Sequence, residues 1–149
     1  MHVPDLSALP GRVTTLGVGW RDLSQPFTRG QVATDFFSTL MRLLVDPWQP
    51  AVCAGRHPCP FCRFSGGPGR VRFDSTEATV GNSNLFVPGN GVLYVAPSLI
   101  AHYVDAHEYR PPDEFVDAVN QCPPMRSMEY LRRLKAAGGM DLIRAPHPS

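Results

Sequence analysis

The sequence contains no apolar run near the roughly 20 residues that a membrane-crossing helix needs. Its opening, Met1-His-Val-Pro-Asp-Leu6, has neither the basic start nor the apolar core of a secretory signal. An excess of one charge is also missing. Fourteen Lys and Arg stand against thirteen Asp and Glu, a formal net charge of +1, so whole-molecule attraction to nucleic acid or anionic lipid has no support. Cysteine and histidine are scarce, with four and five residues in 149. Three of those Cys fall within ten residues, which favours a reduced, cytoplasmic setting and a bound metal over a pair of disulfides. No internal repeat is visible. What the chain does have in quantity is proline (16) and glycine (13), which predicts short elements joined by shaped loops. A hydrophobic fraction of 43% with 18% charged residues fits one soluble globular domain over residues 1–149, large enough to bury a core.

The chemistry is concentrated in Cys53-Ala-Gly-Arg-His57-Pro-Cys59-Pro-Phe-Cys62. Cys-x2-Cys spacing lets two thiolates reach one ion, and Pro60 between them helps hold the turn. Cys59 and Cys62 therefore form a metal knuckle. His57 is separated from Cys59 by Pro58 alone and reaches the same ion with the chain extended. Cys53 reaches it through a turn at Gly55, or else packs as a small hydrophobe.

Around this stretch the pattern predicts an α+β fold: a small antiparallel sheet, one long N-terminal helix and three shorter helices after a hairpin. Residues 1–12 read as a leader and 13–19 as an irregular strand. Thr28-Arg-Gly-Gln31 has the spacing of a capping box. After it, Val32, Phe36, Phe37, Leu40, Leu43 and Leu44 recur at helical steps until Asp46-Pro47. Short strands are expected at 70–74 and 78–80. The hairpin is clearer, with 84–87 and 92–95 flanking Pro88-Gly-Asn-Gly91. Ser98 then stands as the N-cap of a helix running to His107. A third helix starts near Pro112, with Asp113 and Glu114 in its first turn. Ser127 caps the last, which ends at Gly138-Gly139.

A Cys-Pro-x-Cys knuckle, a β-hairpin and then a helix with a histidine near its start together resemble a treble-clef zinc finger over residues 53–107. The resemblance implies that the helix supplies a ligand, matched here by His102. It also implies that the remaining ligand is His57 or Cys53, because the helix lacks the usual second Cys. A second resemblance is to small uncharacterised bacterial proteins that carry His57-x-Cys59-x2-Cys62 followed by His102-Tyr-x3-His107-x-Tyr-x-Pro-Pro. This one favours His57. The expected zinc ligands are thus His57, Cys59, Cys62 and His102. His107 falls on the stripe Ile100, Tyr103, Val104, His107. Its five-residue step turns it about 140° from His102, which reads as a buried, hydrogen-bonded histidine. Cys122, beside two prolines, reads as a core or loop-anchoring residue.

A closed ligand set implies a structural site, and hence a zinc-binding, non-catalytic module whose partner is another protein. Trp48, Tyr94, Tyr103 and Tyr109 are either a contact surface or core. The alternative is a zinc-dependent hydrolase or nuclease with an open metal position, for which His107 and Glu108 are the available general bases. A further alternative is a nucleic-acid-binding zinc finger, using Arg56, Arg63, Arg70 and Arg72 near the knuckle.

Overall fold

The computed structural model describes residues 4–9, 12–21, 25–50, 58–62 and 69–139. They form an α+β fold with a four-stranded sheet, a separate two-stranded hairpin and four helices. The elements are β1 (Ser7–Leu9), β2 (Arg12–Gly17), α1 (Thr34–Val45), β3 (Arg70–Phe73), β4 (Thr76–Thr79), β5 (Asn84–Pro88), β6 (Leu93–Pro97), α2 (Ile100–His107), α3 (Asp113–Gln121) and α4 (Met128–Ala136).

The larger sheet has the order β1-β2-β6-β5. Its organising strand is β6, all five residues of which are buried. Period-2 alternation explains why: Tyr94 and Ala96 join the main core with α1, α2 and α3 residues, whereas Leu93 and Val95 join a second cluster with Tyr130 and Leu134 of α4. Leu85 and Val87 of β5 follow the first group and Phe86 the second. Both faces of the sheet are covered at β6, so Leu93-Tyr-Val-Ala-Pro97 reads as a continuous apolar run. The β5–β6 hairpin closes as expected, with Asn84 opposite Pro97 and Pro88 opposite Leu93. Gly91 supplies the positive φ of +74° that the turn requires.

Several expectations change against the structure. The sheet is mixed, because β2 runs parallel to β6 (Thr15 opposite Leu93, Gly17 opposite Val95). The stretch read as a leader contains β1, paired antiparallel to β2. The helix of Phe36, Leu40 and Leu44 starts at Thr34 with Ala33 as a cap that offers no side chain, so the Thr28–Gln31 capping box goes unused. Residues 28–30 are drawn away from it: the Thr28 carbonyl accepts from Arg110 N–H (2.9 Å) and Gly30 N–H donates to the Glu108 carbonyl (3.0 Å). Ser98 does not cap α2, whose N-cap is Leu99. Its buried hydroxyl instead accepts from the N–H groups of Gly81 (2.8 Å) and Ser83 (3.4 Å), fixing the loop between the hairpins. Ser127 does cap α4, accepting from Tyr130 N–H at 3.1 Å.

Candidate metal centre

The knuckle residues Pro58 to Cys62 approach α2 through Phe61. Its ring packs on Phe27 (centroids 5.3 Å apart), on Tyr103 (5.8 Å) and on His107 (5.3 Å). The Cys62 N–H returns to the Cys59 carbonyl at 3.4 Å, a turn that lets the Phe61 ring pack on the core while both thiols reach the imidazoles of α2. Cys59 is buried and Cys62 half-buried.

Helix α2 presents two imidazoles to these thiols. His102 is buried in the helix and His107 is its last residue. The helix ends because Glu108 takes a left-handed conformation (φ +58°), and its N–H and that of Tyr109 both reach the Tyr103 carbonyl. Tyr109 then bridges to Arg29, so the segment before α1 holds the end of α2 in place.

Cys62 Sγ lies 3.1 Å from His102 Nε2 and 3.5 Å from His107 Nε2. Cys59 Sγ lies 3.5 Å from His107 Nε2, and the two Nε2 atoms are 3.2 Å apart. All four donor atoms fall within 4.8 Å of one another. Around a tetrahedral ion with Zn–S near 2.3 Å and Zn–N near 2.0 Å, neighbouring donors stand roughly 3.3 to 3.8 Å apart. The donor set therefore fits a four-coordinate metal in both chemistry and spacing.

Burial lowers the pKa of His102, and the neighbouring His107 lowers it further against an opposing pull from Asp105. Burial, then the charge of Arg29, lowers that of His107. Both imidazoles are thus held in the neutral form that ligates metals. Burial pushes the Cys59 thiol up to about 11, so a cation in the site is what would favour its thiolate. For the histidines the sign is clear. The unfolded chain takes up protons at a pKa of about 6.5 and the folded chain only at lower pH, so stability is present above that value and lost as pH falls through the interval below it. Metal release by protonated ligands has the same sign. Melting temperature is expected to fall below pH 6.5 in wild type, and less steeply in a His102→Ala/His107→Ala variant.

Of the expected ligands, Cys59, Cys62 and His102 come together. His57 and Cys53 lie outside the described residues. His107, expected to be a buried histidine pointing away, joins the cluster instead. The helical wheel misplaced it because it occupies the end of α2, where its ring folds back to meet that of His102 edge-on, with centroids 4.9 Å apart at 89°. The visible signal was the pair of histidines flanking one short helix after a Cys-x2-Cys knuckle. Cys122 packs between the two hydrophobic clusters as expected, and its thiol is raised by burial to about 11. Tyr103 and Tyr109 are core residues, exposed by 4% and 0%, and Tyr94 is 7% exposed, so none of the three offers a broad protein-contact surface.

Fold and site together define a small α+β protein in which two Cys and two His converge into a group that could hold a metal ion. No described helix is long and apolar enough to cross a membrane. The chain belongs to the family described as a domain of unknown function, DUF7919, whose model matches residues 1–120 and so takes in all four cluster residues. No curated protein and no solved structure gives a significant match.

Proposed function

We propose that this chain is a zinc-stapled, non-catalytic binding module. Cys59, Cys62, His102 and His107 close a tetrahedral shell around a structural zinc ion, and the folded domain engages another protein in a reduced, cytoplasmic setting. The observation that carries the reading is the convergence of four donors, two from the knuckle and two from α2, at tetrahedral spacing. Thiolate and imidazole in equal number select zinc among common ions, and four protein ligands leave no position for water or substrate. His107 takes the place expected for His57, and it supplies the second helix ligand that a treble-clef-like arrangement calls for. His107 also ceases to be a candidate general base. Zinc, when bound, supplies a cross-link between the knuckle and α2; Phe61 and the Tyr103 carbonyl turn pre-set the two ends of that link.

A protein partner is favoured over nucleic acid by the near-neutral charge and by Glu77, which lies 3.1 and 3.5 Å from Arg70 and Arg72 and offsets part of their charge. The test is the metal content of purified wild type and of Cys59→Ser, Cys62→Ser, His102→Ala, His107→Ala and Cys53→Ser. One zinc per chain, lost or sharply reduced in the first four variants and retained in Cys53→Ser, is the expected result. Zinc retained in both histidine variants, or absent from folded wild type, would contradict it.

A further inference from the structure

A second feature shares no residue with the metal cluster and stands whatever the cluster holds. The β5–β6 turn, α3 and the rim of α4 enclose a cleft of about 440 Å³, within the size range of small-ligand sites. Glu114 and Asp117 lie one helical turn apart on α3 and both line it. Among the described residues neither carboxylate has an ion-pair partner. The one cation on the rim, Arg133, is turned to other groups: its Nε lies 3.1 Å from Glu129 Oε1, and its Nη1 donates to the Gln121 carbonyl at 2.8 Å.

Tyr94 forms the inner wall. It is 7% exposed, and its ring stands edge-on to Phe115 with centroids 6.0 Å apart. Gly89 makes room for that ring, since a Cβ there would stand 2.6 Å from Tyr94 Cε2. The hydroxyl forms no hydrogen bond among the described residues, yet it is not sealed from solvent; it opens on the cleft. Burial raises its pKa, and the charges of Glu114 and Asp117 add to the effect. A nearly buried phenol with no internal partner, lining one cleft with two carboxylates that have no ion-pair partner, is an arrangement that lacks a hydrogen-bonding cation.

We infer that this cleft binds an organic cation, an alkylammonium or guanidinium group, with Glu114 and Asp117 as counter-charges and Tyr94 contributing its ring and hydroxyl. A bare metal ion fits less well: it needs several oxygens converging at 2.0 to 2.6 Å, whereas this cleft is many times an ion's volume. Pro88 and Ala118 in its wall suit the alkyl stem of a Lys or Arg side chain or of a free amine. The same chemistry serves both sources.

The experiment is a titration of the full-length, metal-loaded protein followed by backbone amide shifts of residues 89–94 and 114–121. The probes are N-acetyl-lysine methylamide, N-acetyl-arginine methylamide and the neutral isostere N-acetyl-norleucine methylamide. The cationic probes should give saturable shifts and the isostere none. Glu114→Gln/Asp117→Asn should weaken binding by about tenfold or more, because charge-assisted hydrogen bonds are lost. Tyr94→Phe keeps the ring and should weaken it less, with unchanged melting temperature. A lysine-containing peptide binding much tighter than the single-residue probe would identify a polypeptide as the source; equal affinity would identify a free amine. Shifts equal for norleucine, shifts unchanged in the double variant, or tighter binding of magnesium or calcium than of either cationic probe would overturn the inference.

Discussion

Cys59→Ser is expected to cost the protein its metal and, with it, more stability than substitution of an ordinary surface residue. Structural zinc in small domains contributes about 10 to 16 kcal/mol of binding free energy at neutral pH, coupled to folding. This chain differs from an isolated finger, because Cys59 joins a larger apolar core that includes Phe36, Leu40, Met41, Leu85 and Ile100. The loss therefore falls on what the metal joins. Residues 58–62 are held to α2 by Phe61 and the donor cluster, and the end of α2 in turn carries the Arg29–Tyr109 bridge. A loss on the order of 5 kcal/mol is expected, a drop of roughly 10 to 20 °C in melting temperature at this chain length. A strong chelator added to wild type should reproduce it. Cys122→Ser, at a thiol away from the cluster, should retain metal and most of the stability. A Cys59→Ser protein melting within a degree or two of wild type would remove the structural role.

The second large effect is expected at Asp5, which lies 104 residues from the tyrosine it holds. One carboxylate oxygen accepts from Gly19 N–H (3.0 Å) and from Arg21 Nη2 (2.9 Å), and the other accepts from the Tyr109 hydroxyl (2.8 Å). The Arg21 side chain is 4% exposed and that of Asp5 20%. The Arg21 guanidinium also lies 5.2 Å from the centre of the Tyr109 ring. Removing a carboxylate from beside a buried guanidinium is a different act from cutting a surface pair: it costs up to about 3 to 5 kcal/mol, because the Gly19 N–H and the Tyr109 hydroxyl lose their acceptor as well as Arg21 its carboxylate. Asp5→Ala should lose that much in denaturant unfolding, and Asp5→Asn less, since its amide oxygen still accepts. Tyr109 follows His107 by two residues, so Asp5→Ala should also weaken metal affinity. Unchanged affinity and a loss below 1 kcal/mol would show that the N-terminal segment is not part of the site's support.

How much of this could be read from the chain depended on how local the cause was. The hairpin at Pro88-Gly-Asn-Gly91, the face of α1 and the Ser127 cap each follow from neighbours within one or two turns. The Cys59/Cys62 knuckle belongs with them, because its spacing carries its geometry. The start of α1 departs from its local pattern because Thr28 and Gly30 are claimed by residues 108–110, and a distant partner outweighs a local capping preference. The parallel pairing of β2 with β6 joins Thr15 to Leu93, and no turn signal announces such a pairing. His107 failed for a related reason: helical periodicity describes the interior of α2, whereas this residue sits at its left-handed exit. Tyr94 and its two carboxylates left no pattern in the sequence, because their meeting depends on α3 packing on the β5–β6 hairpin.

The central claim is a closed shell of two thiolates and two imidazoles, and cobalt substitution tests it most directly. Cobalt(II) bound in place of zinc should show the intense visible bands of a tetrahedral centre together with thiolate-to-metal charge transfer, and extended X-ray absorption should count two sulfur and two nitrogen neighbours. With no water in the shell, the spectrum should stay constant between neutral and moderately alkaline pH. A weak octahedral spectrum, a single sulfur neighbour, or a spectrum that titrates as a bound water loses its proton would contradict the account and turn the site into an open, reactive one.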